Sequence, residues 1–233
     1  MTTLDELLAS IFDADARESA LYTDFAAWVK GSRRFKAFAI QYGVKIRSKL
    51  KSLRDEGGLH DLRAELNAAS LLLTEARFTL EYERYTASRQ RGPDFTVTFR
   101  THTPFNVEVR RIRSTELDDR DAEARTGKLM AVLCDKVGQM PPSIINVLWL
   151  TAERGISEDD LTHAAVTLRQ MAERKTDEYF QRRGFKHSAD FLRQYSHLSA
   201  ILLHQAGQNT LWLNPLARHK TPPEIANALR RLS

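Results

Sequence analysis

Hydrophobic and polar residues alternate with a period of two in three consecutive segments near the middle of the chain. These segments are residues 77–85, 94–100 and 105–112, and short polar connections separate them. Strict alternation is typical of half-buried strands, and short connections between such strands favour an antiparallel meander. A fourth segment, residues 144–150, is apolar throughout, which indicates a strand covered on both faces.

Helical spacing of apolar residues precedes the meander. The first fifty-odd residues are predicted to form helices, which we expect Gly31 and Gly43 to divide into two or three pieces. Gly57 and Gly58 together predict a turn, and residues 59–73 then predict one amphipathic helix.

Helices and strands also alternate after the meander. The predicted elements are a helix over about 117–137, the strand 144–150, a long helix from Ser157 to about Arg183, a short helix near 189–194, strands 198–204 and 210–213 joined by a turn at Gln208–Asn209, and a last helix from Thr221. The order of helix, three strands, helix and strand predicts the α/β class, with one mixed central sheet flanked by helices. Residues 1–56 would form a helical N-terminal extension, and residues 57–233 the α/β core.

Composition narrows the class of protein. The chain has 233 residues, 42% hydrophobic and 28% charged, which predicts a folded protein. No apolar run approaches the roughly 18 residues needed to span a bilayer, so no membrane partner is expected. Cys134 is the single cysteine, which excludes an internal disulfide and favours a reducing compartment. The acidic first residues do not resemble a secretory signal, so we expect a cytoplasmic protein.

Positive charge is concentrated around the meander. The formal net charge is +5, which permits a polyanionic partner such as nucleic acid. Between Ser88 and Arg113 six arginines accompany two acids, the six being Arg89, Arg91, Arg100, Arg110, Arg111 and Arg113. Arginine at this density favours phosphate binding. Neutral hydrogen-bond donors to the same phosphates could come from Thr101, Thr103 and Asn106. The N-terminal helices offer a second basic surface, which is equally explained as a solvated helix face: Arg33, Arg34, Lys36, Lys45, Arg47, Lys49, Lys51 and Arg54.

Two acids occupy suggestive positions in the meander. Asp94 begins the second strand, and Glu108 lies in the middle of the third on the same strand face as Arg110. If these strands pair, the two carboxylates lie close together and suit Mg²⁺ or Mn²⁺. The alternative is that Asp94 satisfies turn amides and that Glu108 and Arg110 form a solvated pair.

The residues Gly92-Pro93-Asp94, followed by Glu108-Val109-Arg110, resemble the signature of the PD-(D/E)XK nuclease superfamily. The order of elements over about residues 59–150 is also similar to the core of that superfamily. The resemblance implies a restriction-endonuclease-like αβββαβ core. It implies Asp94 and Glu108 as metal ligands, Glu65 on the preceding helix as an outer ligand, and a contribution from the Val109 carbonyl.

One residue departs from the signature, because Arg110 stands where the superfamily usually has lysine. Arginine cannot serve as a base, although it can hold a phosphate. The leading hypothesis is therefore a metal-dependent nuclease acting on DNA rather than RNA, possible as a homodimer, with Arg110 steadying the phosphate. A degenerate module that binds nucleic acid without cleavage is the alternative, and a protein-interaction scaffold is a third class. Glu81 and Glu83 are candidate additional acids.

Overall fold

A mixed sheet with helices on both faces organises the molecule, as the α/β prediction required. The computed structural model describes residues 3–85, 92–113, 122–152 and 155–232. In these ranges the strands are β1 (Phe78–Tyr82), β2 (Phe95–Phe99), β3 (Thr103–Ile112), β4 (Ile145–Ala152), β5 (Ala200–Gln205) and β6 (Gln208–Leu213). The α-helices are α1 (Leu4–Ile11), α2 (Ala20–Gly31), α3 (Arg33–Ser52), α4 (Glu56–Leu72), α5 (Ala122–Val137), α6 (Glu158–Glu173), α7 (Asp177–Gln181), α8 (Ser188–Tyr195) and α9 (Pro223–Arg230).

The six described strands lie in the sheet in the same order as in the chain. Strands β1, β2 and β3 pair antiparallel, which confirms the predicted meander. Strands β4 and β5 then follow parallel to β3, and β6 pairs antiparallel with β5. The β5–β6 hairpin therefore extends the same sheet, and β4 is an interior strand, as its apolar sequence indicated.

Two hydrophobic layers sandwich the sheet. Helices α1 to α4 and α9 cover one face, where Phe95, Val107 and Trp149 are buried among helix residues. Helices α5, α6 and α8 cover the other face, where Leu148 and Leu150 are buried. The N-terminal helices thus share a hydrophobic layer with the sheet. Within the described ranges, none of the helices combines the length and the apolar character needed to cross a membrane.

The glycine-based helix boundaries were wrong at two places. Gly43 lies inside α3, and a Cβ there would come within 3.3 Å of Ile11 Cγ1, so this glycine allows α1 to pack closely against α3. Gly57 and Gly58 belong to the first turn of α4, because the carboxylate of Asp55 caps that helix by accepting the N–H of Gly58 at 2.7 Å.

Two boundaries near the C-terminus also differ from the prediction. The helix expected over residues 157–183 ends at Glu173 and resumes as α7, with Lys175 between them in the left-handed region at φ 59°. The hairpin turn expected at Gln208–Asn209 lies instead at Ala206 and Gly207, both with positive φ. Positive φ at both central residues matches the twist of a two-residue hairpin, and glycine adopts it without steric cost.

Candidate active site

Asp94 directly precedes β2, and Glu108 lies opposite it in the middle of β3. Phe95 pairs with Val107 across β2 and β3, so Asp94 and Glu108 are the next positions in the same register. Asp94 Oδ2 accepts a hydrogen bond from the backbone N–H of Val109 at 2.7 Å. The contact of Val109 with this site is thus through its N–H, whereas the superfamily resemblance implied its carbonyl. The structure brings the two predicted acids together.

Glu65 reaches the same region from helix α4. It is buried, with 6% of its surface exposed, and both carboxylate oxygens accept hydrogen bonds from Lys49 Nζ at 2.7 and 2.8 Å. Lys49 Nζ also lies 3.0 Å from Glu83 Oε1, and the Tyr82 hydroxyl bonds to Glu65. Lys49 therefore belongs to the acidic site, although the sequence placed it only among the N-terminal basic residues.

Glu108 has its own cationic partner on the opposite face of the sheet. Lys136 of α5 donates a hydrogen bond to Glu108 Oε1 at 2.7 Å, and both side chains are largely buried. Glu65 and Glu108 are thus each paired with a lysine, one from α3 and one from α5. The described hydrogen bond of Asp94 comes from a backbone N–H and not from a lysine. The pKa of Asp94 therefore depends mainly on burial and on the charged groups around it.

The electrostatic field disfavours the charge of Asp94. Burial raises the pKa of Asp94 well above its ordinary range, and the negative charges of Glu65 and Glu108 raise it further. Lys49 and the Val109 N–H only partly oppose these effects. Burial would lower the pKa of Lys49, but the carboxylates, led by Glu65, outweigh burial and raise that pKa above its ordinary value. Lys49 is consequently a charged ammonium group at neutral pH.

A row of buried polar side chains fixes the strands beside the acids. Thr96 Oγ1 donates to Asn106 Oδ1 at 3.1 Å, and Asn106 Nδ2 donates to Asn146 Oδ1 at 3.1 Å. These three side chains, which we call the polar ladder, link β2, β3 and β4. Asn106 is 1% exposed, so the expectation that it supplies a donor to nucleic acid is wrong. Instead it holds in register the strands that carry Asp94 and Glu108.

The predicted arginines do not form one cluster around the acids. Arg110 is half-buried on the strand face of Glu108. Arg111 lies on the other face, where its Nε donates to Asp61 Oδ1 at 2.9 Å, and Arg113 Nη2 is 3.5 Å from Asp61 Oδ2. Arg100 follows the far end of β2, about 20 Å from Asp94 at the rise of a strand, and pairs with Glu224. Arg89 and Arg91 lie outside the described residues.

Several N-terminal basic residues brace the fold. Arg34 donates to the carbonyl oxygens of Leu73 and Glu75 at 2.7 and 2.6 Å, and also to that of Phe78. Lys45 Nζ donates to the Tyr82 carbonyl at 3.1 Å. Because these groups already satisfy backbone carbonyls, they are poor candidates for a continuous surface along a nucleic-acid backbone.

Of the other candidate acids, Glu81 is exposed beside Arg84, and Glu83 pairs with Lys49.

The donor set of the acidic site suits a hard divalent cation. Carboxylate oxygens are the preferred ligands of Mg²⁺, which often takes only one or two of them and keeps several waters. In the part of the chain that the structure describes, no three His, Cys, Asp or Glu side chains form a group that could hold a metal ion. The paired strands bring two carboxylates together, those of Asp94 and Glu108. No family model, curated protein or solved structure matches this chain.

Proposed function

We propose that this chain is a divalent-metal-dependent nuclease of the PD-(D/E)XK type that cleaves DNA. The observation that carries the proposal is the excess of negative charge around Asp94. The described contacts and couplings join four carboxylates, those of Glu65, Glu83, Asp94 and Glu108, to two ammonium groups, those of Lys49 and Lys136. If all six groups ionise, the carboxylates exceed the ammonium groups by two charges; Arg110 on the strand face of Glu108 adds one positive charge, and a divalent cation would neutralise what remains.

The fold supports the same proposal. Helix α4, the β1–β3 meander, helix α5 and strand β4 follow one another in the order of an αβββαβ core, with β4 parallel to β3. Asp94 at the start of β2 and Glu108 within β3 would correspond to the two acids of the superfamily signature. We therefore include a restriction-endonuclease-like core in the proposal, together with DNA rather than RNA as substrate, a cytoplasmic location and a homodimer.

Asp94 and Glu108 would hold the Mg²⁺ or Mn²⁺ ion, with Glu65 as an outer ligand. When bound, the ion supplies charge neutralisation at the phosphate and lowers the pKa of water. Glu108 would contribute a carboxylate oxygen to the ion while its Oε1 accepts from Lys136. Asp94 would become fully ionised, because a nearby cation favours the charged form.

Two cations of the chain would act directly on the phosphate. The raised pKa of Lys49 keeps its ammonium group charged, so it donates hydrogen bonds and does not accept a proton. Glu65 holds this group at the acidic site and would orient it toward a nonbridging oxygen. Arg110 would bind a phosphate oxygen through its planar guanidinium group. Lys49 thereby supplies an ammonium group that the Glu-Val-Arg motif lacks.

Cleavage assays with matched variants test the proposal. Supercoiled plasmid and labelled single strands are incubated with the protein in Mg²⁺, Mn²⁺ or EDTA. Asp94→Asn and Glu108→Gln keep the size of each side chain, and each should lower metal-dependent cleavage by about 100-fold or more. Glu81→Gln, at an exposed acid of the same meander, should cleave like the parent. Cleavage that persists in EDTA, or in either site variant, would contradict the assignment.

The alternative function is nucleic-acid binding without cleavage. It is favoured by the two lysine contacts, which neutralise Glu65 and Glu108 without any ion, and by arginine at position 110. Salt-sensitive DNA binding without cleavage in any metal would support this alternative. Arg110→Lys then becomes informative, because it should create activity if the lysine of the motif is all that the site lacks.

A further inference from the structure

A cavity lies on the α4 face of the sheet, apart from the acidic site around Asp94. Its volume is about 330 Å³, at the lower end of the range of about 300–1,000 Å³ for small-ligand sites. The lining comes from two helices and the ends of two strands: Asp24, Trp28, His60, Arg63, Ala64, Asn67, Arg111 and Thr151. A cavity of this size suits one small ligand.

The sequence spacing explains how these residues converge. On α4, His60, Arg63 and Asn67 follow one another at intervals of three and four residues, which places them on one helix face. Asp24 and Trp28 are four residues apart on α2. Arg111 and Thr151 are direct neighbours across the parallel strands β3 and β4, so they form the floor between the two helices.

One buried polar group in this cavity lacks a hydrogen-bond partner among the residues that the structure describes. The Oγ1 atom of Thr151 is buried and has no hydrogen-bond partner among the described residues. Buried hydroxyl groups are nearly always hydrogen-bonded, so this group points to a ligand. The half-buried Asn67 lines the same cavity. Hydroxyl and amide groups both donate and accept, as hydrogen bonding to the edge of a nucleobase requires.

The remaining lining supplies a flat ring and positive charge. Trp28 lines the cavity, and its ring packs edge-to-face with Phe35 at a centroid distance of 5.5 Å. Arg63 Nε donates to Asp24 Oδ2 at 2.6 Å and Arg111 Nε donates to Asp61 Oδ1 at 2.9 Å, so each guanidinium group that lines the cavity is held beside a carboxylate. Aromatic rings stack on unpaired bases, and arginine binds phosphate.

We infer that this cavity binds one unstacked nucleobase of the nucleic-acid strand, with Trp28 against its face, Asn67 and Thr151 at its edge, and Arg63 and Arg111 near its phosphate. Arg111 is three residues beyond Glu108 on β3, about 10 Å along the strand. Successive phosphates of a B-form strand advance by about 3.4 Å, so about three nucleotides cover this distance, with Arg111 on the α4 side of the sheet and Glu108 on the α5 side. The substrate class is then single-stranded or locally opened DNA, a conclusion that rests on the proposed nuclease function.

Mononucleotide binding tests the cavity separately from cleavage. The full chain is titrated calorimetrically with deoxyadenosine 5′-monophosphate in EDTA, where metal-dependent cleavage cannot occur. Deoxyribose 5-phosphate, which lacks the base, is the matched probe. The nucleotide should bind and quench tryptophan emission, Trp28→Phe should remove the quenching, and the base-free probe should bind at least roughly tenfold more weakly.

Nearly isosteric variants separate a binding role from a structural one. Thr151→Val and Asn67→Leu should each weaken nucleotide binding by roughly tenfold, with unfolding midpoints close to that of the parent. Thr98→Val, at a half-buried strand hydroxyl outside the cavity, should bind like the parent. The inference is overturned if the base-free probe binds equally well, if the nucleotide does not bind at millimolar concentration, or if both cavity variants bind it unchanged. None of these results would bear on metal-dependent cleavage at Asp94 and Glu108.

Discussion

Replacing Lys49 by methionine should destabilise the protein far more than replacing an exposed lysine of the same helix. Lys49→Met keeps much of the aliphatic length but leaves Glu65 without its ammonium partner. Glu65 is 6% exposed, and burial raises its pKa, with Lys49 as the strongest opposing influence. Removing one partner of a buried pair costs about 3–5 kcal/mol. Because the Lys49 side chain is 29% exposed, we expect the lower end, about 3 kcal/mol.

The size of this loss should depend on pH. Without Lys49, the pKa of Glu65 in the folded protein lies further above its ordinary value of 4.5. The folded state then binds more protons than the unfolded state between these two pKa values, so stability falls as pH rises through that window. The penalty of Lys49→Met should therefore be larger at pH 8 than at pH 5.

Urea unfolding at the two pH values measures this effect. The double variant Lys49→Met with Glu65→Gln should recover to within about 1 kcal/mol of the parent at pH 8, because Glu65 no longer carries a buried charge that lacks its partner. Lys51→Met is the matched control, since the described contact of Lys51 is an exposed one of 3.5 Å with Asp13, and it should change stability by less than about 1 kcal/mol. A loss below about 1 kcal/mol for Lys49→Met, or one that is independent of pH, would refute the reasoning.

Three further predictions concern stability. Hydrogen bonds from Arg77 lower the pKa of Glu75 to about 2, so Glu75→Gln should cost about 1 kcal/mol at pH 7, reduced by the partial exposure of Arg77. That cost should fade in thermal unfolding as pH falls from 4.5 toward 2, and a constant cost would argue against the ion pair. Asn106→Leu should lower the free energy of unfolding in urea by about 2 kcal/mol, because its partners in the polar ladder are left unsatisfied. An unchanged free energy of unfolding would show that the polar ladder does not stabilise the sheet. Gly127→Ala in α5, where a Cβ meets nothing within 4 Å, should raise stability by about 0.5–1 kcal/mol, whereas a loss would contradict the open space.

Local periodicity was sufficient to predict the meander and its acid pair. Alternating burial is a direct consequence of the pleat, so β2 and β3 could be located and their faces assigned. A short hairpin then leaves little freedom in register, and the proximity of Asp94 and Glu108 follows. The glycine boundaries failed for the opposite reason. Whether Gly43 breaks a helix or admits Ile11 depends on packing between residues distant in sequence.

The lysines of the site could not be found from sequence. Lys49 is separated from Glu65 by 16 residues and from Glu83 by 34, and no short motif relates these positions. Lys136 reaches Glu108 across 28 residues. Both lysines belong to helices on opposite faces of the sheet, so only the packing of α3 and α5 reveals that they neutralise the meander acids. The cavity beside Trp28 depends on tertiary structure in the same way.

Replacing Asp94 should raise stability and abolish cleavage, whereas replacing Lys49 should lower stability. Its raised pKa means that the folded protein disfavours the ionised carboxylate, so stability falls as pH rises above its ordinary value of 3.8. Asp94→Asn removes this charge, while its amide oxygen can still accept the Val109 N–H. The variant should therefore be more stable than the parent at pH 7, with a gain that disappears in acid, and should lack metal-dependent cleavage. A residue that is retained for ion binding is expected to cost stability when no ion compensates its charge. Lower stability of Asp94→Asn at pH 7 would contradict this expectation and would show that the Asp94 charge supports the fold.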